Sequence, residues 1–136
     1  MNRLVLLDNE AVQSLRDPAH RKHLQVISQI LTANTRKVQG RSVQTAVPGA
    51  VRVEAGWDRT AATWAFANQL RIADIPLDRE QADSAASIRK RTQVSVADAH
   101  LGAAIQAATG NVTVITSNPR DIHRVAEGRR VDIVAI

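Results

Sequence analysis

Short runs of apolar residues alternate along this chain with longer stretches in which apolar positions recur at helical spacing. In Arg3-Leu4-Val5-Leu6-Leu7 the four residues after Arg3 are a continuous apolar run closed by Asp8, and 3–7 is read as a strand buried on both faces. A short helix over 10–15 follows. Asp17-Pro18 predicts the start of the next helix, with Leu24, Ile27, Ile30 and Leu31 as its packed face. The polar, basic stretch 32–41 predicts a surface loop or a frayed helix end. Residues 42–47 read as a second strand turned by Pro48-Gly49, followed by helix over 50–57 and again over 60–68. A third strand is expected over 71–75. Asp78 and Gln81 then form a capping box for a helix carrying Ala82, Ala85, Ala86 and Ile88, which ends in Arg89-Lys90-Arg91.

The most informative stretch comes next. Ser95 caps a helix over 95–109 that is rich in Ala and Gly, and Asp98 stands in its first turn. Gly110-Asn111 ends it, Val112-Thr113-Val114-Ile115-Thr116 is a buried strand, and Ser117-Asn118-Pro119-Arg120-Asp121 opens a helix reaching 127. Residues 131–136 close the series as a fifth strand. Strands alternating with helices predict an α/β fold, a Rossmann-like three-layer arrangement around a central, mostly parallel five-stranded sheet.

At 136 residues the chain is the size of one domain, so residues 1–136 are expected to form a single unit. Only 2% of residues are aromatic against 44% hydrophobic overall, so the core must be built from Val, Ile, Leu and Ala. The absence of cysteine excludes disulfides and thiolate metal sites. The opening Met1 to Leu7 is too short for a leader or a membrane span, which predicts a cytoplasmic protein with no membrane association. The 18 basic residues exceed the 13 acidic ones, and a net charge of +5 suits a polyanionic partner.

Ligands bind parallel sheets at the carboxyl ends of the strands, and acids recur at that position here. Asp8 follows the first strand, Glu54 lies beyond the second, Asp98 opens a helix, and Asp121 follows the fourth strand. Taken singly, each is an ordinary helix cap or first-turn acid. Taken together, four carboxylates in one crevice repel one another unless a cation neutralises them. Oxygen ligands alone select Mg²⁺, with Mn²⁺ as the alternative, and a metal so held can activate water for phosphodiester hydrolysis. His20 and His23 lack a nearby third ligand and are read as surface residues; His100 and His123, two residues from acids, face away from them.

Leu-Leu-Asp8, Val53-Glu54-Ala55, Ala97-Asp98-Ala99-His100-Leu101 and Ile115-Thr116-Ser117-Asn118-Pro119-Arg120-Asp121-Ile122, in this order, resemble the PIN-domain family. Within it the chain is most similar to small VapC-type toxins of bacterial toxin–antitoxin modules. That resemblance implies a Mg²⁺-dependent endoribonuclease acting on RNA and held inactive by a cognate antitoxin, with a homodimer expected. It assigns catalytic and metal-binding roles to Asp8, Glu54, Asp98 and Asp121. Thr116 and Ser117 would orient neighbouring groups through their hydroxyls, and Asn118 stands where the family often has an acid, removing one negative charge. Trp57, Trp64 and Phe66 are expected in the core, with a dimer or antitoxin surface as the alternative.

Two rivals are a phosphoryl-accepting receiver domain and a PIN-like module that binds nucleic acid or protein without catalysis. A receiver domain wants a lysine late in the chain, and Lys90 is the last one here. Neither G-x-G-x-x-G nor a P-loop lysine motif occurs, which disfavours nucleotide binding.

Overall fold

A computed structural model describes residues 2–136. Five strands, β1 (Arg3–Leu7), β2 (Val43–Pro48), β3 (Ala73–Ile75), β4 (Asn111–Thr116) and β5 (Asp132–Ala135), form one sheet in the order β3-β2-β1-β4-β5. Every pairing is parallel, so the sheet is wholly and not mostly parallel. Seven α-helices connect the strands: α1 (Asn9–Arg16), α2 (His23–Val38), α3 (Gly49–Ala55), α4 (Ala65–Asn68), α5 (Arg79–Thr92), α6 (Val96–Ala107) and α7 (Pro119–Ala126).

Strand side chains alternate between two cores, as a pleated sheet requires. Val5, Leu7, Val47 and Ile115 point into one core with Val12, Leu15, Val26 and Ile30 from α1 and α2. Leu6, Ala46, Val112 and Val114 point into the other with Leu101, Ile105, Ile122 and Val125 from α6 and α7. The result is three layers, helices on both faces of the sheet. Because β1 is central, the chain leaves it first toward β2 and later crosses to β4 on its other side. The switch point of the fold is therefore the gap between the carboxyl ends of β1 and β4.

Helix α6 is buried nearly all round, from Ala97 through Ile105 apart from the half-buried Asp98. Its small residues explain how neighbours approach so closely: a Cβ on Gly102 would stand 2.8 Å from Val125 Cβ and 3.0 Å from Ile88 Cδ1. Burying Leu101 and Ile105 completely contributes about 1.5–3 kcal/mol each.

Several boundaries differ from expectation. Helix α2 begins at His23, because Asp17 accepts from Ala19 N at 2.9 Å and folds residues 17–22 into turns. That start puts Val26, Ile30 and Ala33 inward and leaves Leu24 and Leu31 exposed, so two of the four residues assigned to the packed face lie in solvent. The polar stretch after it stays helical to Val38, and the Thr32 and Thr35 hydroxyls are satisfied within the helix by the carbonyls of Ser28 and Leu31. Helix α3 ends at Ala55 because Gly56 takes a left-handed conformation, φ 74°. The expected helix over 60–68 is a 3₁₀ turn, Ala62–Trp64, and the single turn of α4. Strand β3 is shorter than 71–75, since Arg71 has φ 54° and cannot extend a ladder. Met1, which opens the stretch read as too short for a leader, lies outside the described residues.

Candidate active site

The parallel register carries Asp8 to the switch point. Leu7 pairs with Ile115, so the residue after β1 lies beside the end of β4. Asp8 Oδ1 accepts from Ala11 N at 2.8 Å, capping α1, and Oδ2 accepts from Ser117 N at 3.1 Å. The Thr116 hydroxyl donates to the same carboxylate while accepting from Asn118 N at 2.9 Å. Asp8 is thus both the helix cap and the link between two loops. Burial pushes its carboxyl up from the usual value against these lowering hydrogen bonds.

Asp98 comes from the opposite layer. Ser95 Oγ accepts from Asp98 N at 3.1 Å and fixes the first turn of α6, leaving the Asp98 side chain half buried. Its carboxyl is also pushed up, by burial first, then by the negative charges of Asp121, Glu54 and Asp8. After burial, three acids from three other parts of the fold act on this one carboxylate.

The other two acids are held more loosely. Asn118 and Asp121 bond reciprocally across the start of α7, Asn118 Nδ2 donating to Asp121 Oδ2 at 2.8 Å and Asp121 N to Asn118 Oδ1 at 3.3 Å. Arg124 Nη1 lies 3.4 Å from Asp121 Oδ1. Glu54, in the last turn of α3, is exposed and accepts only a long 3.5 Å bond from Asn9 Nδ2. Among the described residues, no group of three His, Cys, Asp or Glu side chains is placed as it stands to hold a metal ion. Each carboxylate has its own hydrogen-bond partner, Asn9 for Glu54, Ala11 and Ser117 for Asp8, Ser95 for Asp98 and Asn118 for Asp121.

Asp8 and Asp121 follow β1 and β4 at the carboxyl edge of the sheet, and Asp98 lies near enough to them and to Glu54 for their charges to act on it. The expectations for their neighbours need amendment. Thr116 works through its hydroxyl as expected, but Ser117 holds Asp8 through its backbone N–H and not through its hydroxyl. His100 is fully buried, accepts from Ala50 N at 3.2 Å through Nδ1, and is kept neutral by burial, which lowers its pKa. His123 is exposed. His20 lies at the surface within 3.1 Å of Glu10, but His23 is buried, its Nδ1 2.7 Å from the Ser14 carbonyl, so it is not the surface residue expected. Trp57 and Trp64 stack in the core with ring centroids 5.7 Å apart, while Phe66 is 44% exposed. Asn9 and Arg124 were not anticipated. Asn9 adjoins Asp8 in sequence, a usable signal; its partner 45 residues away gives none.

The donor set fits a hard divalent cation. Asp8, Glu54, Asp98 and Asp121 offer only oxygen, Asn118 adds an amide, and the negative charges of Asp121, Glu54 and Asp8 add to the burial that raises the Asp98 carboxyl.

No family model matches this sequence, and no curated protein matches it significantly. Among solved structures, the chain is similar to that described as the crystal structure of FitAcB from Neisseria gonorrhoeae, with 16% identity, 95% of each chain covered and a TM-score of 0.54. That likeness shows the fold: a PIN-like three-layer α/β arrangement around a parallel sheet.

Proposed function

We propose that this chain is a metal-dependent endoribonuclease, the toxin of a toxin–antitoxin pair. One observation carries the reading: the parallel register sets Asp8 beside the end of β4, where Asn118 and Asp121 open α7, so that acids from β1 and α7 meet at the switch point of the sheet. The similar fold of FitAcB, a toxin–antitoxin complex, supports the partner class. The net charge of +5 suits an RNA substrate, encountered in the cytoplasm. A cognate antitoxin and a homodimer belong to the same proposal.

Asp8, Glu54, Asp98 and Asp121 would hold Mg²⁺ or Mn²⁺, with the Asn118 amide beside them. Such an ion, once bound, supplies a water of lowered pKa and offsets charge on the scissile phosphate. The chain's own groups do the positioning. Thr116 and the Ser117 N–H fix the rotamer of Asp8, and Ser95 fixes the turn that aims Asp98. Asp8 and Asp98 have raised carboxyl pKa values, so each ionises most completely once a cation is present.

The test is cleavage of a mixed-sequence RNA by the full chain with Mg²⁺ or Mn²⁺, alongside Asp98→Asn. Cleavage by the wild type, abolished by EDTA and by the substitution, is expected. A folded wild type that cuts no RNA with either ion would overturn the enzyme and leave a PIN-like binding module.

A further inference from the structure

In an all-parallel sheet every strand also begins on one side, and the residues entering these strands share a charge. Arg71 precedes β3, Arg41 precedes β2, Arg3 opens β1, and Arg129-Arg130 precede β5. In the spatial order β3-β2-β1-β4-β5 this makes a row of arginines interrupted only at β4. At about 4.8 Å per strand, the row extends roughly 19 Å. Two adjoining grooves, of about 650 and 470 Å³, follow it from Arg41 to Arg130 and share Arg3 and Gly110; Lys37, from the last turn of α2, adds a cation beside Arg41 in the larger one.

The cations of this row are unequally engaged. Arg3 pairs with Asp132 at 2.9 Å, and Arg129 donates to the carbonyls of Gln106 and Gly110. Lys37, Arg41, Arg71 and Arg130 are exposed, and none has a carboxylate partner among the described residues. The exposed side chains lining the larger groove are Lys37, Arg41, Ser42, Gln44, Asn2 and Thr109: cations, hydroxyls and amides, with no aromatic or large apolar anchor of the kind a peptide would use.

We propose that this amino edge of the sheet is a second contact surface for RNA, gripping the phosphate backbone of a single strand whose other end lies at the acidic edge. This rests on the ribonuclease reading for the identity of the polyanion. The physical need for it is plain. The acidic cluster repels phosphates except where a cation intervenes, so affinity for a long substrate must come from elsewhere on the surface. The longest strands have six residues, so the two edges lie about 20 Å apart, a span that a strand of several nucleotides can bridge. Phosphate contacts of this kind position a strand without reading its sequence.

The probe is a fluorescein-labelled 20-nucleotide oligouridylate, measured by anisotropy in EDTA so that no cleavage intervenes. The variant Lys37→Ala/Arg41→Ala/Arg130→Ala is compared with Arg21→Ala/Arg79→Ala/Lys90→Ala, which removes equal charge outside the row. Circular dichroism melts confirm that both fold. The row variant should bind about tenfold or more weakly and lose about two from the slope of log affinity against log salt, while the control changes little. Equal affinity in wild type and row variant, equal loss in both variants, or no binding by the wild type would overturn the proposal. So would unchanged RNA binding with lost binding of polyglutamate, which would assign the groove to an acidic protein. Binding through the row without metal-dependent cleavage would refute the ribonuclease reading and leave this one standing.

Discussion

The carboxyl and amino edges of this sheet carry opposite charges and hold them differently. At the carboxyl edge Asp8 is fixed by a capping bond at 2.8 Å, a loop amide at 3.1 Å and the Thr116 hydroxyl, and Asp121 is clasped by Asn118. At the amino edge Lys37, Arg41 and Arg130 extend into solvent. An ordered carboxylate cluster suits chemistry, in which a misplacement of about 1 Å costs rate. Long mobile cations suit affinity for a flexible polyanion, where geometry matters little. Parallel pairing sends every strand end to one side, so a sheet can keep both functions apart without further structure.

Breaking the acidic edge should give the largest effect. Asp98→Asn or Asp8→Asn is expected to lower cleavage by about 100-fold or more while circular dichroism remains native. Removing a support should cost less. Thr116→Val leaves every acid and both backbone bonds to Asp8 in place but removes one of its three anchors, and a loss of about 10–100-fold in kcat, largely restored by Thr116→Ser, is the expected outcome. Overfilling the packing beneath Asp98 tests whether the cluster depends on α6. Gly102→Ala would press a Cβ to 2.8 Å from Val125 Cβ and should destabilise by about 1–3 kcal/mol, read as a melting temperature lowered by several degrees.

The smallest effect has the opposite sign. Asp98 has a folded pKa above its ordinary value, so its ionisation costs stability once pH rises through that folded value, and the cost vanishes below about pH 4. In EDTA, Asp98→Asn should therefore melt slightly above wild type at pH 7. The gain should shrink as pH falls and disappear near pH 3.5. A variant no more stable than wild type at pH 7 would contradict a net cost of ionising Asp98 from burial and the neighbouring acids.

The sequence made the elements of the site plain, and the strand-end rule and the family resemblance led to the expectation that its acids converge, but the contacts that join them were not legible. Asp8, Asp98 and Asp121 each sit beside a local cue, a strand end, a Ser95 cap or a Pro119 start, and each cue was readable. What joins them is register: Leu7 opposite Ile115 brings Asp8 to Ser117 across 109 positions of chain, and no periodicity encodes that. Apolar pattern located the strands because Leu4 to Leu7 and Val112 to Ile115 are buried on both faces. It misassigned the face of α2, where the turn made by Asp17 shifts the helix start and exposes Leu24 and Leu31. It missed the burial of His23, whose polar ring is satisfied by the Ser14 carbonyl and so tolerates the core.

The central claim is that Asp8, Glu54, Asp98 and Asp121 act as one cation site, and titrating Mn²⁺ into the full chain by calorimetry at pH 7 tests it most directly. Saturable binding by the wild type, weakened at least tenfold in both Asp8→Asn and Asp98→Asn, is the predicted result. Binding that is absent in the folded wild type, or that survives both substitutions unchanged, would contradict it.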